Sequence, residues 1–491
     1  MYLTNNKVVI HQEEPLFQFF KENLIKFEDE RRVPLYQKTR QGIEFGRGIN
    51  FLLGDKLKGI QDLSVDTLEY NVSLNFQDYR NLLPGYTLRE DQITTIIKAL
   101  KYKRGIFQLA TGSGKSLCIA GVMKYLQNQL GYCPTALLLE PTNYLVDDMC
   151  ARMNSYGVPC KTYSYSRNSL DEECLYVSHP KSLYNDIRRR KGLLDSVKIL
   201  IADESHHEHC RTWSFIYYHC NRLEFSLGFT AYLISTEKIN NMSFGLLDSD
   251  EAKAIECTGP VRMNLDPSYY IDLGVLATPI VLRIDNPADE FVNDIRNWQE
   301  LRVNRLESDY RRGLIVESAK IFCDKGFKIL GLSATKDFAV SMLLDLHKLG
   351  ISDKAACSFG GGEYVFINSE GLPEYTKDPI YKEKFNTGEV QILICTSHLF
   401  EGADIPHLDV VIMAEVGKKV RKIIQGVGRG LRKTKKGKYA YILDFTDHNS
   451  YVLKKHSNMR LEYYDSIVGA KQIFDYVSIR DLNTIIQRLE S

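Results

Sequence analysis

The sequence lacks several things that would narrow its class at once. No uninterrupted apolar run approaches the ~20 residues that cross a bilayer, so no membrane helix is expected. Met1 to Glu14 carry no apolar stretch behind a basic head, so no secretory signal is read there and an intracellular, cytoplasmic setting is expected. Eleven cysteines are scattered without a Cys-x-x-Cys pair, and in such a chain they read as reduced thiols, not a disulfide framework. Charge of one sign is missing too: 63 Lys and Arg face 62 Asp and Glu, a net +1 that announces no polyanionic partner. Neither an internal repeat nor a low-complexity tract appears, and residues 1–85 and 446–491 hold no nuclease constellation.

What is present is local. A chain of 491 residues holds about three domains at ~150 residues each. Its positive charge is clustered: ten Lys and Arg and no Asp or Glu lie between Lys418 and Lys438, and Arg188-Arg189-Arg190-Lys191 is a second run. Each is a solvated face or a nucleic-acid contact.

The organising stretch is Leu109-Ala110-Thr111-Gly112-Ser113-Gly114-Lys115-Ser116. A short apolar run precedes it and a helical pattern (Leu117, Ile119, Ala120, Val122, Met123, Leu126) follows. Strand, glycine loop and helix with Gly-Lys-Ser make the context of a phosphate-binding loop. Gly112 and Gly114 let backbone N–H groups close around phosphate, Lys115 brings a point charge, and the Ser116 hydroxyl suits Mg2+. The outer glycine of the usual pattern is replaced by Leu109.

Residues 1–85 mix aromatic and charged residues and predict a small α+β domain, with a helix near Pro15–Phe27 and strands at Ile43–Phe45 and Ile49–Leu53. It is read as a nucleic-acid-binding accessory domain or a structural cap. Gln92, in a helix just ahead of the loop strand, has an amide that can both donate to and accept from an adenine edge. Buried strands are expected at Thr135–Leu139, Cys174–Ser178, Val197–Ala202 and Leu223–Gly228, alternating with helices. That alternation implies a doubly wound parallel sheet with ligands at the strand C-termini. Asp203-Glu204 stands at such an end: Asp203 can hold Mg2+, and Glu204 can orient and deprotonate water. His206, His207, His209 and Cys210 make a weak zinc pattern, because no second ligand pair has conventional spacing. Residues 233–258 read as an insertion or long loop, and Val275–Ile284 as a strand leading out of this first core.

A charged connector spans 287–312. A second parallel α/β core follows over 313–450, with strands at Phe327–Leu332, Val390–Cys395, Val410–Met413 and Tyr439–Leu443. It has no phosphate loop of its own. Arg429 and Arg432, three apart, share a helix face and could bring positive charge to phosphate. Ser333-Ala334-Thr335 follows the first strand of the second core and reads as a loop that could touch nucleic acid, whereas Phe229-Thr230-Ala231 follows the strand next after Asp203-Glu204. Residues 451–491 show helical periodicity (Leu482, Ile485, Ile486, Leu489) that fits packing on the second core.

In order, Gln92, Gly112–Ser116, Pro141-Thr142, Asp203–His206, Thr230-Ala231, Thr396, Gly402, Asp404, Gln425, Gly428, Arg429 and Arg432 resemble superfamily 2 helicases and translocases of the Asp-Glu-x-His type. The Leu-Ala-Thr-Gly-Ser-Gly-Lys-Ser and Gln-x-x-Gly-Arg-x-x-Arg forms are similar to the branch containing XPB, type III restriction motors and phage UvsW. The resemblance covers residues 86–445. It implies two tandem RecA-like parallel-sheet cores, 86–286 and 313–450, behind a small α+β N-terminal domain. It implies ATP and Mg2+ as cofactors, with Gln92, residues Ala110 to Ser116, Gly402 and Asp404 around the nucleotide. Lys115, Asp203, Glu204, Gln425, Arg429 and Arg432 would be catalytic, with Ser116 and Asp203 on the metal. His206, Thr230 and Ala231 would couple hydrolysis to movement, and Pro141, Thr142 and Thr396 would grip nucleic acid. Tyr232 stands where many relatives have Thr or Ser, and Ser116 replaces Thr; neither change should abolish activity.

The expected function is an ATP-dependent DNA helicase or translocase on branched or duplex DNA, with ATP hydrolysed between two RecA-like domains. If the chain is phage-encoded, host cytoplasm is its setting. The alternatives are an RNA helicase, the motor subunit of a restriction system, and a non-enzymatic protein that ATP merely clamps on nucleic acid.

Overall fold

The computed structural model describes the chain except residues 1, 6, 15, 16, 29, 30, 41, 50–60, 164–169, 171, 172, 209, 242–246, 287–297, 361, 397–407, 415–438, 448, 449 and 467–471. It forms two compact units. One is Met1–Leu109 with Gly114–Leu265, the other Ala110–Ser113 with Asp266–Ser491.

The first unit begins with a small sheet. β1 (Tyr2–Leu3), β2 (Lys7–His11), β5 (Gln37–Lys38), β6 (Gly42–Gly46) and β7 (Gln61–Asp62) lie in the order β5-β6-β2-β1-β7. β3 (Ile25–Glu28) and β4 (Arg31–Pro34) pair as a separate hairpin, and one helix spans Phe17–Asn23. The expected α+β character is present, with Ile43–Phe45 inside β6; Ile49 closes a 3-10 turn, Arg47–Ile49, and the rest of the strand expected to Leu53 lies outside the described residues.

The first core is a seven-stranded, wholly parallel sheet. β8 (Arg104–Leu109), β9 (Ala136–Leu139), β10 (Cys160–Thr162), β11 (Leu175–Ser178), β12 (Ile199–Asp203), β13 (Phe225–Thr230) and β14 (Val261–Leu265) lie in the order β10-β11-β9-β12-β13-β8-β14. The inner strands read as continuous apolar runs because helices cover both faces. Leu138 and Ile201 pack on one face with Leu126 and Met123, Leu137 and Leu200 on the other with Trp213 and Ile216.

Three boundaries differ from the sequence reading. Residues 233–258 are not a long loop. They include the helices Thr236–Asn240 and Ser249–Thr258, and Ala252, Ala254 and Ile255 are buried against the N-terminal sheet. Polar neighbours hide that apolar stripe. β15 (Thr278–Asn286) does not leave the first core; it is an inner strand of the second sheet, so the first core ends near Leu265, not at 286. Its partner β22 (Tyr439–Asp447) lies more than a hundred residues later, a pairing that local periodicity does not specify. Nor are residues 451–491 all helical. β23 (Gln472–Val477) adds a parallel edge strand beside β15, between the helices Tyr451–Ser466 and Ile479–Glu490.

With β16 (Ile329–Leu332), β17 (Ala355–Phe359), β18 (Glu363–Ile367), β19 (Pro373–Thr376), β20 (Ile392–Cys395) and β21 (Val410–Ile412), the second sheet has nine strands in the order β19-β18-β17-β20-β16-β21-β22-β15-β23. β18 runs antiparallel to both its neighbours, β17 and β19, and the other pairs are parallel. The terminal helix inserts Leu482 and Ile486 into this core, as its periodicity predicts. Ser333-Ala334-Thr335 ends as a helix cap: the Thr335 hydroxyl accepts from the Phe338 N–H of the helix Lys336–Lys348.

The N-terminal sheet is seated closely on the helix Ser249–Thr258. A Cβ on Gly46 would lie 2.2 Å from the Glu256 carbonyl oxygen, and one on Gly48 2.0 Å from that of Ile255. The Gly46 N–H donates to the buried Glu256 carboxyl at 2.9 Å. Gly48→Ala therefore overpacks a backbone contact and should cost about 2–3 kcal/mol. Urea unfolding checks this, and an unchanged midpoint would mean the sheet is not held on that helix.

Candidate nucleotide site

The loop after β8 turns on two glycines in the left-handed region, Gly112 (φ +84°) and Gly114 (φ +94°), where a side chain would be strained. A Cβ on Gly114 would also sit 2.4 Å from the Gln92 amide nitrogen. Lys115 is the first residue of the helix Lys115–Leu130, whose N-terminal N–H groups lack helical partners and suit an anion. Glycine loop, lysine and helix start thus fit a polyphosphate. Gln92 is buried, and its Oε1 already accepts the Arg89 N–H at 3.0 Å as the cap of its own helix.

Sheet order brings the rest together. β13 lies between β8 and β12, with Phe229 opposite Asp203 and Thr230 opposite Gln108. Thr230 therefore sits between the loop strand and the Asp-Glu strand. Glu204 has φ +54° and ψ +51°, uncommon for a residue with a side chain. Its N–H donates to Asp203 Oδ1 at 3.0 Å. Its carboxylate lies 3.8 Å from the Lys115 ammonium and 3.3 Å from His206 Nδ1. His206 Nδ1 is also 3.1 Å from the Thr230 hydroxyl. Lys115, Glu204, His206 and Thr230 form one polar chain.

The two adjacent carboxyls are driven apart. Burial, then the Glu204 charge, pushes Asp203 up to about 6. Burial acts on Glu204 in the same direction, but Lys115 and His206 outweigh it and hold that carboxyl well below its usual range.

Pro141 and Thr142 are half-buried, and Thr142 caps the helix Asn143–Ser155 without a hydrogen bond from its side chain. Thr396 is half-buried just past β20. The Arg188–Lys191 run lies in the turn after the helix Pro180–Ile187, exposed except for half-buried Arg190. Gly402, Asp404, Gln425, Gly428, Arg429, Arg432 and His209 lie outside the described residues, as does the whole run from Lys418 to Lys438. Among the described residues no group of three His, Cys, Asp or Glu stands in a metal-holding arrangement, and no helix is long and apolar enough to cross a membrane.

Residues 85–235 match the family model described as type III restriction enzyme, res subunit, and residues 325–434 match the helicase conserved C-terminal domain. Together the two models span more than half of the chain. The chain is a superfamily 2 helicase. As such it is an ATP-dependent enzyme built on two RecA-like cores, and its family acts on nucleic acid. Among curated proteins it is 24% identical to one assigned as helicase 22 of Sulfolobus islandicus filamentous virus (isolate Iceland/Hveragerdi), over 88% of this chain and 75% of that protein. It is 32% identical to one assigned as the ATP-dependent helicase IRC3 of Saccharomyces cerevisiae, over 78% of this chain but only 55% of that one. Solved structures of the same fold include the DUF1998 helicase MrfA bound to DNA (TM-score 0.56, 15% identity, 80% of this chain and 50% of that chain). Another is S. cerevisiae Dbp5 bound to RNA and ADP BeF3 (TM-score 0.53, 14% identity, 85% of this chain and 100% of that chain).

Sequence reasoning missed residues that position this helicase's site. Buried Gln108 on β8 accepts from the Leu233 and Ile234 N–H groups at 2.8 and 3.0 Å and donates to the Ile234 carbonyl at 3.0 Å. It clamps the turn after Thr230-Ala231. The Thr258 hydroxyl donates to Glu208, whose carboxyl burial pushes up to about 8. A buried Gln in a phosphate-loop strand was the one available signal. Nothing local marked Glu208.

The raised Asp203 pKa fixes a sign. Asp203 binds its proton more tightly folded than unfolded, so its ionisation costs stability as pH rises from about 4 to about 6. Asp203→Asn should therefore gain on the parent chain over that range, reaching roughly 1–3 kcal/mol at pH 7. Melting both in EDTA between pH 5 and 7.5 checks this; a difference flat with pH would contradict it.

Proposed function

We propose that this helicase is a DNA translocase working on branched or duplex DNA, driven by ATP hydrolysis at the Lys115–Glu204 site. The observation that carries the chemistry is the 3.8 Å approach of Lys115 to Glu204. One lysine serves two anions in turn. With the loop empty of phosphate it neutralises the glutamate. When the β/γ-phosphates take Lys115, Glu204 loses the cation that holds it ionised, and its affinity for a proton rises. That is the direction a general base needs as it takes a proton from the attacking water.

Asp203 and Ser116 would hold Mg2+, which supplies charge neutralisation at the phosphates. His206 bridges Glu204 and Thr230, so a shift of the glutamate is felt at the end of β13. Gln108 ties that strand end to the following turn, and hydrolysis can therefore move more than one side chain. Pro141 and Thr142 open a helix N-terminus that suits a backbone phosphate. Such a grip is independent of sequence and sensitive to salt. The N-terminal domain (1–85) is assigned an accessory nucleic-acid-binding role. The preference for DNA is supported by the motif forms shared with the restriction-motor branch.

Glu204→Gln should lower nucleic-acid-stimulated kcat by about 100-fold or more while leaving ATP affinity within a few fold. Lys115→Ala should abolish turnover. Steady-state ATPase is to be measured with no nucleic acid, single-stranded DNA, duplex, a forked or four-way junction, and structured RNA. Strongest stimulation by the junction supports the reading. Stimulation by RNA alone replaces it with an RNA helicase. Normal ATP binding with no turnover replaces it with an ATP-dependent clamp.

A further inference from the structure

Glu140 is the first residue beyond β9 and has no role in the chemistry above. Its N–H donates to the Ser178 carbonyl at 3.0 Å, so its backbone is fixed in the sheet. β9 and β12 are parallel with Leu139 opposite Ala202, so Glu140 and Asp203 are next in register and rise on the same face. The Glu140 side chain is 1% exposed, and its Oε1 has no hydrogen-bond partner. Burial first, then the charges of Asp203 and Glu204, push its carboxyl well above the usual range. The nearby cation, Arg152, is paired with Asp148 at 2.8 Å.

A buried carboxyl with an unused oxygen, set beside two others, is costly to the fold. An apolar side chain of the same size would fill the place at lower cost. What the place suits is a species that is positively charged and donates hydrogen bonds. A hydrated divalent cation does both. Mg2+ keeps several of its waters and takes only one or two carboxylates directly. The three carboxyls do not form a direct cage, so Glu140 would meet such an ion through a water.

We propose that Glu140 is a positioning residue of the magnesium site: its free Oε1 accepts a hydrogen bond from a water of the ion's shell, on the side of Asp203 away from the phosphate loop. This rests on the nucleotide-site reading above. Strand order supports the geometry, because β9 and β13 flank β12 on opposite sides. Thr230 and the loop strand then lie to one side of Asp203 and Glu140 to the other.

The test uses the full chain with ADP and Mn2+ as a paramagnetic probe, titrated by EPR for the parent protein, Glu140→Gln and Glu140→Met. Mn2+ affinity should fall about tenfold or more in both variants, as losing an outer-sphere partner does. ADP affinity in EDTA should not change. The melting temperature of Glu140→Met in EDTA should equal or exceed that of the parent, since a buried carboxyl has been replaced by an apolar group. Mn2+ affinity within twofold of the parent would overturn the proposal. So would a lowered melting temperature or a loss of ADP binding in EDTA, either of which makes Glu140 part of the scaffold. If the parent chain itself fails to bind Mn2+ with ADP, the nucleotide-site reading falls instead.

Discussion

The site depends on one electrostatic constraint: the Glu204 carboxylate is nearly out of solvent and must be neutralised. At 13% exposure it has lost most of its hydration, and a carboxylate so placed stays ionised only with a partner. Lys115 and His206 supply it. The same lysine begins the helix that faces the phosphate loop, so the partner can be drawn away by a stronger anion. Glu204 also holds a left-handed backbone conformation that most residues avoid. That geometry aims its N–H back at Asp203 and its carboxylate toward Lys115, and separates two neighbouring carboxyls that would otherwise repel at short range.

Strand order makes this arrangement possible. Lys115 follows β8 and Glu204 follows β12, and these strands are not neighbours. β13 lies between them and contributes Thr230, which His206 reaches at 3.1 Å. A ligand at the strand ends is therefore seen by three consecutive strands through one connected set of polar groups. Buried polar groups of this kind are costly unless satisfied. Gln108 shows how completely that can be met: both ends of its amide are used, on the backbone of the turn that follows Thr230-Ala231 and on Asn264 at 2.8 Å.

Much of this was legible in the chain and some was not, for physical reasons. Parallel strands buried on both faces announce themselves as apolar runs, so Ala136–Leu139, Ile199–Asp203 and Ile392–Cys395 were found close to their observed limits. The Gly-Lys-Ser loop was visible because its backbone demands glycine. The sheet to which a strand belongs is not a local property. β15 has the same apolar character in either unit, and only its pairing with β22 and β23 assigns it. The helix Ser249–Thr258 was hidden because its buried face is built from Ala252, Ala254 and Ile255 among Glu and Asp, with Glu251 and Glu256 buried as well. Glu140 and Gln108 stayed unmarked because a single polar residue at a strand end carries no period and no spacing.

Those buried acids also connect elements that the sequence separates widely. From the Asp-Glu turn, Glu208 receives the Thr258 hydroxyl, and two residues earlier on the same helix Glu256 receives the Gly46 N–H and the Tyr218 hydroxyl. The carboxyls of Glu208 and Glu256 are raised by burial to about 8 and about 7, so near neutrality each holds a proton for a large part of the time. A protonated carboxyl both donates and accepts, and can join two backbone segments without stranding a charge between them. The N-terminal sheet is thus fastened to the helix behind the Asp-Glu turn by hydrogen bonds and by glycine backbone contact, with little need for ion pairs at the seam. A joint of that kind is short-ranged and specific in geometry. It holds the sheet in one register on the core, and a displacement of the Asp-Glu turn is carried to it through the Glu208–Thr258 contact at one end of the helix and the Glu256 carboxyl two residues earlier.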